Sequence, residues 1–175
     1  QADVCSIFIF DDAKGELILQ ANTGLKKGMV GKIRLKSGEG IAGTVFEKNE
    51  PLMLNDGFAH PRFRYFKGSG EERFKSFLSV PIAGGAGPLG VMTLQRQTQR
   101  PFDPNDLKAL QIAASQLATV LENVRIIRQY QRGVSGEPGH AAKKHLDSAF
   151  LKGKAASRGY AYAKTALALG VERFQ

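Results

Sequence analysis

Apolar residues dominate the start of the chain, where Val4, Cys5, Ser6, Ile7, Phe8, Ile9 and Phe10 carry the β-branched and aromatic side chains of a strand. Asp11, Asp12, Ala13, Lys14 and Gly15 then read as a turn, and residues 16–21 return antiparallel. Because domains seldom open on the first residue of a strand, a preceding element, a helix, is expected before it. A third strand is predicted over residues 30–36, followed by Ser37, Gly38, Glu39 and Gly40 and a short amphipathic helix over residues 41–48 that Pro51 stops. Leu52, Met53 and Leu54 form a short strand, and residues 55–70 an irregular stretch rich in aromatic and basic side chains. Residues 74–83 and 89–97 pair as a hairpin around Gly84, Gly85, Ala86 and Gly87, which read as a flexible connection.

The sharpest local signal is Phe102-Asp103-Pro104-Asn105-Asp106-Leu107. Asp103 caps free N–H groups, Pro104 suits the first helical turn, Asp106 favours the positive end of the dipole, and Phe102 staples to Leu107. Leu107, Leu110, Ala114, Leu117, Leu121, Val124 and Ile127 then recur at three- and four-residue steps, so one face stays apolar to about Tyr130. That face either packs on the domain's own sheet or serves in addition as a dimer seam. Residues 133–139 hold three glycines and Pro138 and read as a linker, and residues 152–164 look like the opening of a further unit too short to bury its own core. The expected division is a domain at 1–130, a linker at 131–149 and the beginning of a truncated module at 150–175.

Composition narrows the class. With 175 residues, 42% of them hydrophobic and 23% charged, the chain has material for one folded α+β domain and an appendage. No run of about 18 apolar residues is present, which excludes a membrane-spanning helix, and the first residues lack the basic start and apolar core of a signal peptide. The single cysteine, Cys5, allows no internal disulfide; a cytoplasmic location is expected. The net charge of +9 suggests nucleic acid until it is located: residues 1–124 hold 15 Lys and Arg against 13 Asp and Glu, residues 125–175 hold 10 against 3. The compact part is nearly neutral, and no nucleic-acid partner is expected.

Gly38-Glu39-Gly40-Ile41-Ala42-Gly43 matches the dinucleotide-binding G-x-G-x-x-G pattern, but its surroundings are hairpins and not a parallel strand-helix-strand unit. The glycines are read instead as a tight turn and a close helix approach. His60, His140 and His145 form no metal-ligand spacing, and neither H-E-x-x-H nor G-x-S-x-G occurs, so no catalytic residue is assigned. What remains is a sheet face beneath a long aromatic and basic loop, the construction of a small-molecule pocket. The candidate ligand-binding residues are Phe58, His60, Arg62, Arg64, Tyr65, Arg73, Ser79 and Thr93. The three arginines match the paired-donor geometry that holds carboxylates and favour an acidic ligand. Ser76 and Gln95 offer further polar groups, with strand alternation deciding which of them face inward.

The order of hairpin, G-E-G-I-A-G helix, short strand, irregular loop, hairpin and long terminal helix resembles a GAF domain, a small-molecule-binding α+β fold with an antiparallel sheet flanked by helices. Glu50-Pro51-Leu52-Met53-Leu54-Asn55-Asp56, His60-Pro61-Arg62-Phe63, Glu71-Glu72-Arg73-Phe74-Lys75-Ser76-Phe77-Leu78-Ser79-Val80-Pro81-Ile82 and Leu89-Gly90-Val91 are similar to the GAF domain of the nitrogen-related enzyme I family, phosphoenolpyruvate-protein phosphotransferases. Residues 151–163 resemble the beginning of that family's phosphotransferase module. The resemblance implies a parent enzyme that takes phosphate from phosphoenolpyruvate onto a histidine, with Mg2+, and passes it to an HPr-like carrier. It implies no cofactor and no catalytic histidine within these 175 residues. It also implies control by nitrogen status, with glutamine and 2-oxoglutarate as opposing signals. A homodimer through residues 104–130 is expected from the apolar face of that helix. A ligand-free dimerisation module is the competing reading. A gas or light sensor is disfavoured by Cys5 lying in the opening strand and by the lack of a metal-ligand cluster.

Overall fold

The computed structural model describes residues 2–97 and 100–133. Six strands form one sheet: β1 (Val4–Asp11), β2 (Glu16–Thr23), β3 (Arg34–Lys36), β4 (Leu52–Leu54), β5 (Ser76–Gly84) and β6 (Gly87–Arg96). They lie in the order β3-β2-β1-β6-β5-β4 with every neighbouring pair antiparallel. Helix α1 (Gly40–Lys48) sits between β3 and β4, and helix α2 (Pro104–Gly133) follows β6. This is the expected α+β arrangement.

Strand alternation splits the core in two. Cys5 and Ile7 of β1, Leu78, Val80 and Ile82 of β5, and Met92 and Leu94 of β6 pack under Leu110, Ala114, Leu117 and Ala118 of α2. The opposite face carries Phe8, Leu17, Leu19 and Val91 against Ala42, Val45 and Phe46 of α1. The three-four periodicity of α2 is thus spent first on its own sheet.

The helix start is built as its sequence dictates. Asp103 Oδ1 accepts from the backbone N–H groups of Asn105 and Asp106 at 2.8 and 2.9 Å, and Asp106 Oδ2 accepts in return from the Asp103 N–H at 3.0 Å. This reciprocal pair satisfies donors that a bare helix end leaves open. Asp106 Oδ2 also receives Arg96 Nη2 at 3.0 Å, and the Arg96 guanidinium lies 4.0 Å from the Phe102 ring centroid. Arg96 and Asp106 are both buried, so β6 and α2 are joined by a charged pair.

Several boundaries differ from expectation for local reasons. The third strand is only Arg34–Lys36, because the preceding residues turn: the N–H groups of Lys32 and Ile33 bond back to the Met29 carbonyl. Helix α1 ends at Lys48 as expected, but the stop is Asn49 in a left-handed conformation (φ 52°), two residues before Pro51. Gly84 to Gly87 is no flexible connection: Gly84 pairs with Gly87, and the Gly85 N–H donates to Glu122 Oε1 of α2 at 2.5 Å. Helix α2 runs three residues past Tyr130, to Gly133. From residue 134 onward the expected linker and the 150–175 segment, with His140 and His145, lie outside the described residues.

Candidate functional site

The chain between β4 and β5 folds over the α1 face of the sheet as an aromatic lid. Phe58 packs tilted against Phe63 at 4.6 Å, and Phe63 meets Phe77 of β5 edge-on at 6.0 Å. Two ion pairs tie the lid to the turn before α1 and to α1 itself, Arg64 with Glu39 and Arg62 with Glu47. Beneath the lid lies a cavity of about 40 Å3, lined by Phe63, Phe66 and Phe77, by Gly40 and Ile41 of α1, and by Ser6, Thr93 and Gln95 of the sheet. A water-sized group needs about 10–15 Å3, so the cavity has room for about three.

The floor is polar because β1 and β6 are neighbours. Ser6 pairs across the ladder with Thr93, and Gln95 follows two residues on, so all three project to the same face. The Thr93 and Ser79 hydroxyls share a hydrogen bond of 2.9 Å. Gln95 Nε2 donates to Glu71 Oε1 at 2.7 Å. Burial pushes the Glu71 carboxyl above the ordinary glutamate range, the Gln95 hydrogen bond opposes this, and the neighbouring Glu72 charge adds to it. Ser6 Oγ and Gln95 Oε1 are buried without a hydrogen-bond partner among the described residues.

Of the eight residues proposed from sequence, the structure brings Arg64 and Thr93 to the cavity wall. Ser79 stands one hydrogen bond behind Thr93, and Phe58 stands behind Phe63. His60 Nδ1 accepts from the Arg62 N–H at 3.3 Å on the outside of the lid. Tyr65 is 45% exposed and donates to Glu72 at 2.9 Å. Arg73 lies on the surface, its Nε donating to the Gly70 carbonyl at 3.4 Å and its guanidinium over the Phe74 ring. Three arginines therefore do not converge on one point: two are ion-paired to different glutamates and the third is on the exterior. Sequence reasoning missed Ser6 and Glu71. The available signal for Ser6 was a lone hydroxyl in an otherwise apolar strand.

The glycine motif has the structural role assigned to it. Gly38 and Gly40 take left-handed backbone (φ 80° and 66°), and a Cβ on Gly43 would stand 2.5 Å from the Lys36 carbonyl oxygen. With every strand pair antiparallel, the nucleotide-binding crossover is not formed. Among the described residues no three His, Cys, Asp or Glu side chains are grouped to hold a metal, and no helix is long and apolar enough to cross a membrane.

Comparison with known proteins matches this architecture to relatives. The sequence profile of the GAF domain matches residues 1–122. The chain is 33% identical over 156 residues to the Escherichia coli (strain K12) protein named Phosphoenolpyruvate-dependent phosphotransferase system, covering 85% of this chain and 21% of that protein. It therefore spans about a fifth of that relative's length. The solved GAF domain of a phosphoenolpyruvate-protein phosphotransferase from Coxiella burnetii is 37% identical with a TM-score of 0.69, covering 73% of this chain and 76% of that one. The corresponding Acinetobacter domain is 27% identical with a TM-score of 0.64, covering 73% and 75%. A profile match over most of the chain and a shared sheet-and-helix architecture have one reading: the chain belongs to the GAF domain family, and is the kind of GAF domain carried by phosphoenolpyruvate-protein phosphotransferases.

Proposed function

We propose that this is the regulatory, small-molecule-sensing GAF domain of a cytoplasmic phosphoenolpyruvate-protein phosphotransferase, and that its ligand controls phosphate transfer from phosphoenolpyruvate to an HPr-like carrier. The observation that carries the reading is the lidded cavity with two buried, partnerless polar atoms in its floor. A buried polar group left unsatisfied costs about 1–3 kcal/mol, and native folds keep few of them without a use. A route outward exists in the same strand. Gln95 faces the cavity while its neighbour Arg96 faces α2 and holds Asp106, so a shift of β6 on binding reaches the helix that leads to the C-terminal part of the chain. By resemblance, the phosphorylated histidine and Mg2+ belong to the parent's catalytic module, and the ligand is an amino or keto acid such as glutamine or 2-oxoglutarate. Either is larger than the 40 Å3 cavity, so the rest of the ligand extends toward the lid and solvent.

Thermal unfolding with millimolar glutamine, glutamate or 2-oxoglutarate tests this. A ligand bound only by the folded chain raises the midpoint, and at one hundred times its Kd adds about 2.7 kcal/mol. No shift with any of them overturns the sensing role.

A second reading, a homodimer through α2, is favoured by Ile112 and Ile126, which are 54% and 62% exposed on the helix side away from the sheet. Fourteen residues apart, they fall on one stripe of the helix. Sedimentation should then show concentration-dependent dimers that the double substitution Ile112→Glu, Ile126→Glu converts to monomers. A chain that stays monomeric at high concentration rejects the seam.

A further inference from the structure

The cavity floor is rich in hydrogen-bond acceptors. Ser6 is 2% exposed and Gln95 3%, and both line the cavity together with Glu71. The Gln95 amide is held in one orientation, because its Nε2 donates to Glu71 Oε1 at 2.7 Å. An ionised carboxylate only accepts, so turning the amide over would set oxygen against oxygen. So oriented, Gln95 presents Oε1 as an acceptor with nothing donating to it among the described residues. Glu71 adds carboxylate oxygens, and Ser6 adds a hydroxyl whose ladder partner Thr93 is already engaged with Ser79. A hydroxyl from β1 and acceptor oxygens from β6 and from the turn before β5 thus line one small space. The one basic side chain lining the cavity among the described residues, Arg64, is ion-paired with Glu39.

We propose that Ser6, Gln95 and Glu71 form a subsite for a protonated primary amine, so that the molecule sensed by this domain enters with its –NH3+ group foremost. The proposal rests on reading the cavity as a ligand site. An ammonium carries three donors and no acceptor. It supplies one hydrogen bond to each of the three residues and sets a positive charge against a buried carboxylate, the stronger class of hydrogen bond. A 2-oxo group at the same place accepts at most from the Ser6 hydroxyl and presents oxygen to the Gln95 and Glu71 oxygens, and a 2-hydroxy group donates to one acceptor only. The cavity therefore separates an amino acid from the keto acid and hydroxy acid of the same skeleton.

Thermal unfolding of the 175-residue chain at neutral pH with glutamine, glutamate, 2-oxoglutarate and 2-hydroxyglutarate tests the assignment, since the last three differ only at C2. The expected result is an upward shift with glutamine or glutamate, and a requirement for at least about tenfold more of the oxo or hydroxy compound to match it. Glu71→Gln, which keeps shape and removes charge, should weaken the amine's effect by about tenfold or more. Ser6→Ala, the smaller change, should weaken it less and serves if Glu71→Gln does not fold. An equal or larger shift with 2-oxoglutarate, or an amine shift undiminished in both variants, overturns the subsite and leaves the sensing role standing. Silence from all four compounds removes both.

Discussion

Glu71 and Asp103 are two carboxylates that the fold treats in opposite ways. Burial raises the Glu71 pKa, so the folded chain holds that proton more tightly than the unfolded chain does. Stability then falls as pH rises from the ordinary glutamate value of about 4.3 through the higher folded value. Glu71→Gln should therefore raise the urea midpoint relative to the parent chain at neutral pH, with the difference vanishing near pH 4. Asp103 has the reverse sign: hydrogen bonds from the Asp106 and Asn105 N–H groups lower its pKa. Its contribution is present above the ordinary aspartate range and is lost as pH falls through the folded value, so Asp103→Asn should destabilise at neutral pH and converge with the parent in acid. Gly43 argues from space instead of charge. In an exposed helix, alanine is favoured over glycine by about 1 kcal/mol, but here the added Cβ meets the Lys36 carbonyl at 2.5 Å. Gly43→Ala should instead lose about 1–3 kcal/mol by denaturant titration, and a stabilised variant would show that α1 can lift from the strand.

The elements were largely legible where their causes are local. The capping sequence at Asp103, the alternation of β1 and the glycine turn before α1 each act within a few residues, and each appears where the pattern placed it. The third strand was overextended because Val30 and Ile33 are β-branched, yet the Met29 turn claims that backbone and leaves Ile33 as a buried plug. The site was less legible because its floor depends on β1 lying beside β6, a pairing of distant segments that no local pattern announces. Ser6, Thr93 and Gln95 acquire a common face only through that register. The pairing of Arg96 with Asp106 was equally hidden, although it joins two elements. Asp106→Ala should cost about 3–5 kcal/mol, since it removes the carboxylate from a buried guanidinium. Replacing Arg96 and Asp106 together by Met and Leu should cost much less, and equal losses from the single and double changes would deny the coupling.

At the scale of the whole molecule the sheet is a partition, with the cavity and α1 on one side and α2 on the other. The charge excess follows the chain and not this partition: it gathers from Arg125 onward, past the segment of α2 that covers the sheet. Besides the exposed Arg125–Asp12 ion pair, helix α2 is fastened to the hairpin by Asp106, which holds β6, and by Glu122, which holds the Gly85 turn between β5 and β6, points separated by about 24 Å of helix. Two rivets so spaced make the helix a splint across the strands that floor the cavity, and splinted parts open together or not at all. In hydrogen exchange, the α2 amides from about 107 to 122 should therefore share one slow rate with β5 and β6, and those beyond Glu122 should exchange sooner. Any compound that slows exchange in β6 from below should slow the riveted stretch of helix by the same factor, so the clock that reports occupancy can be read from the side of the sheet the ligand never touches.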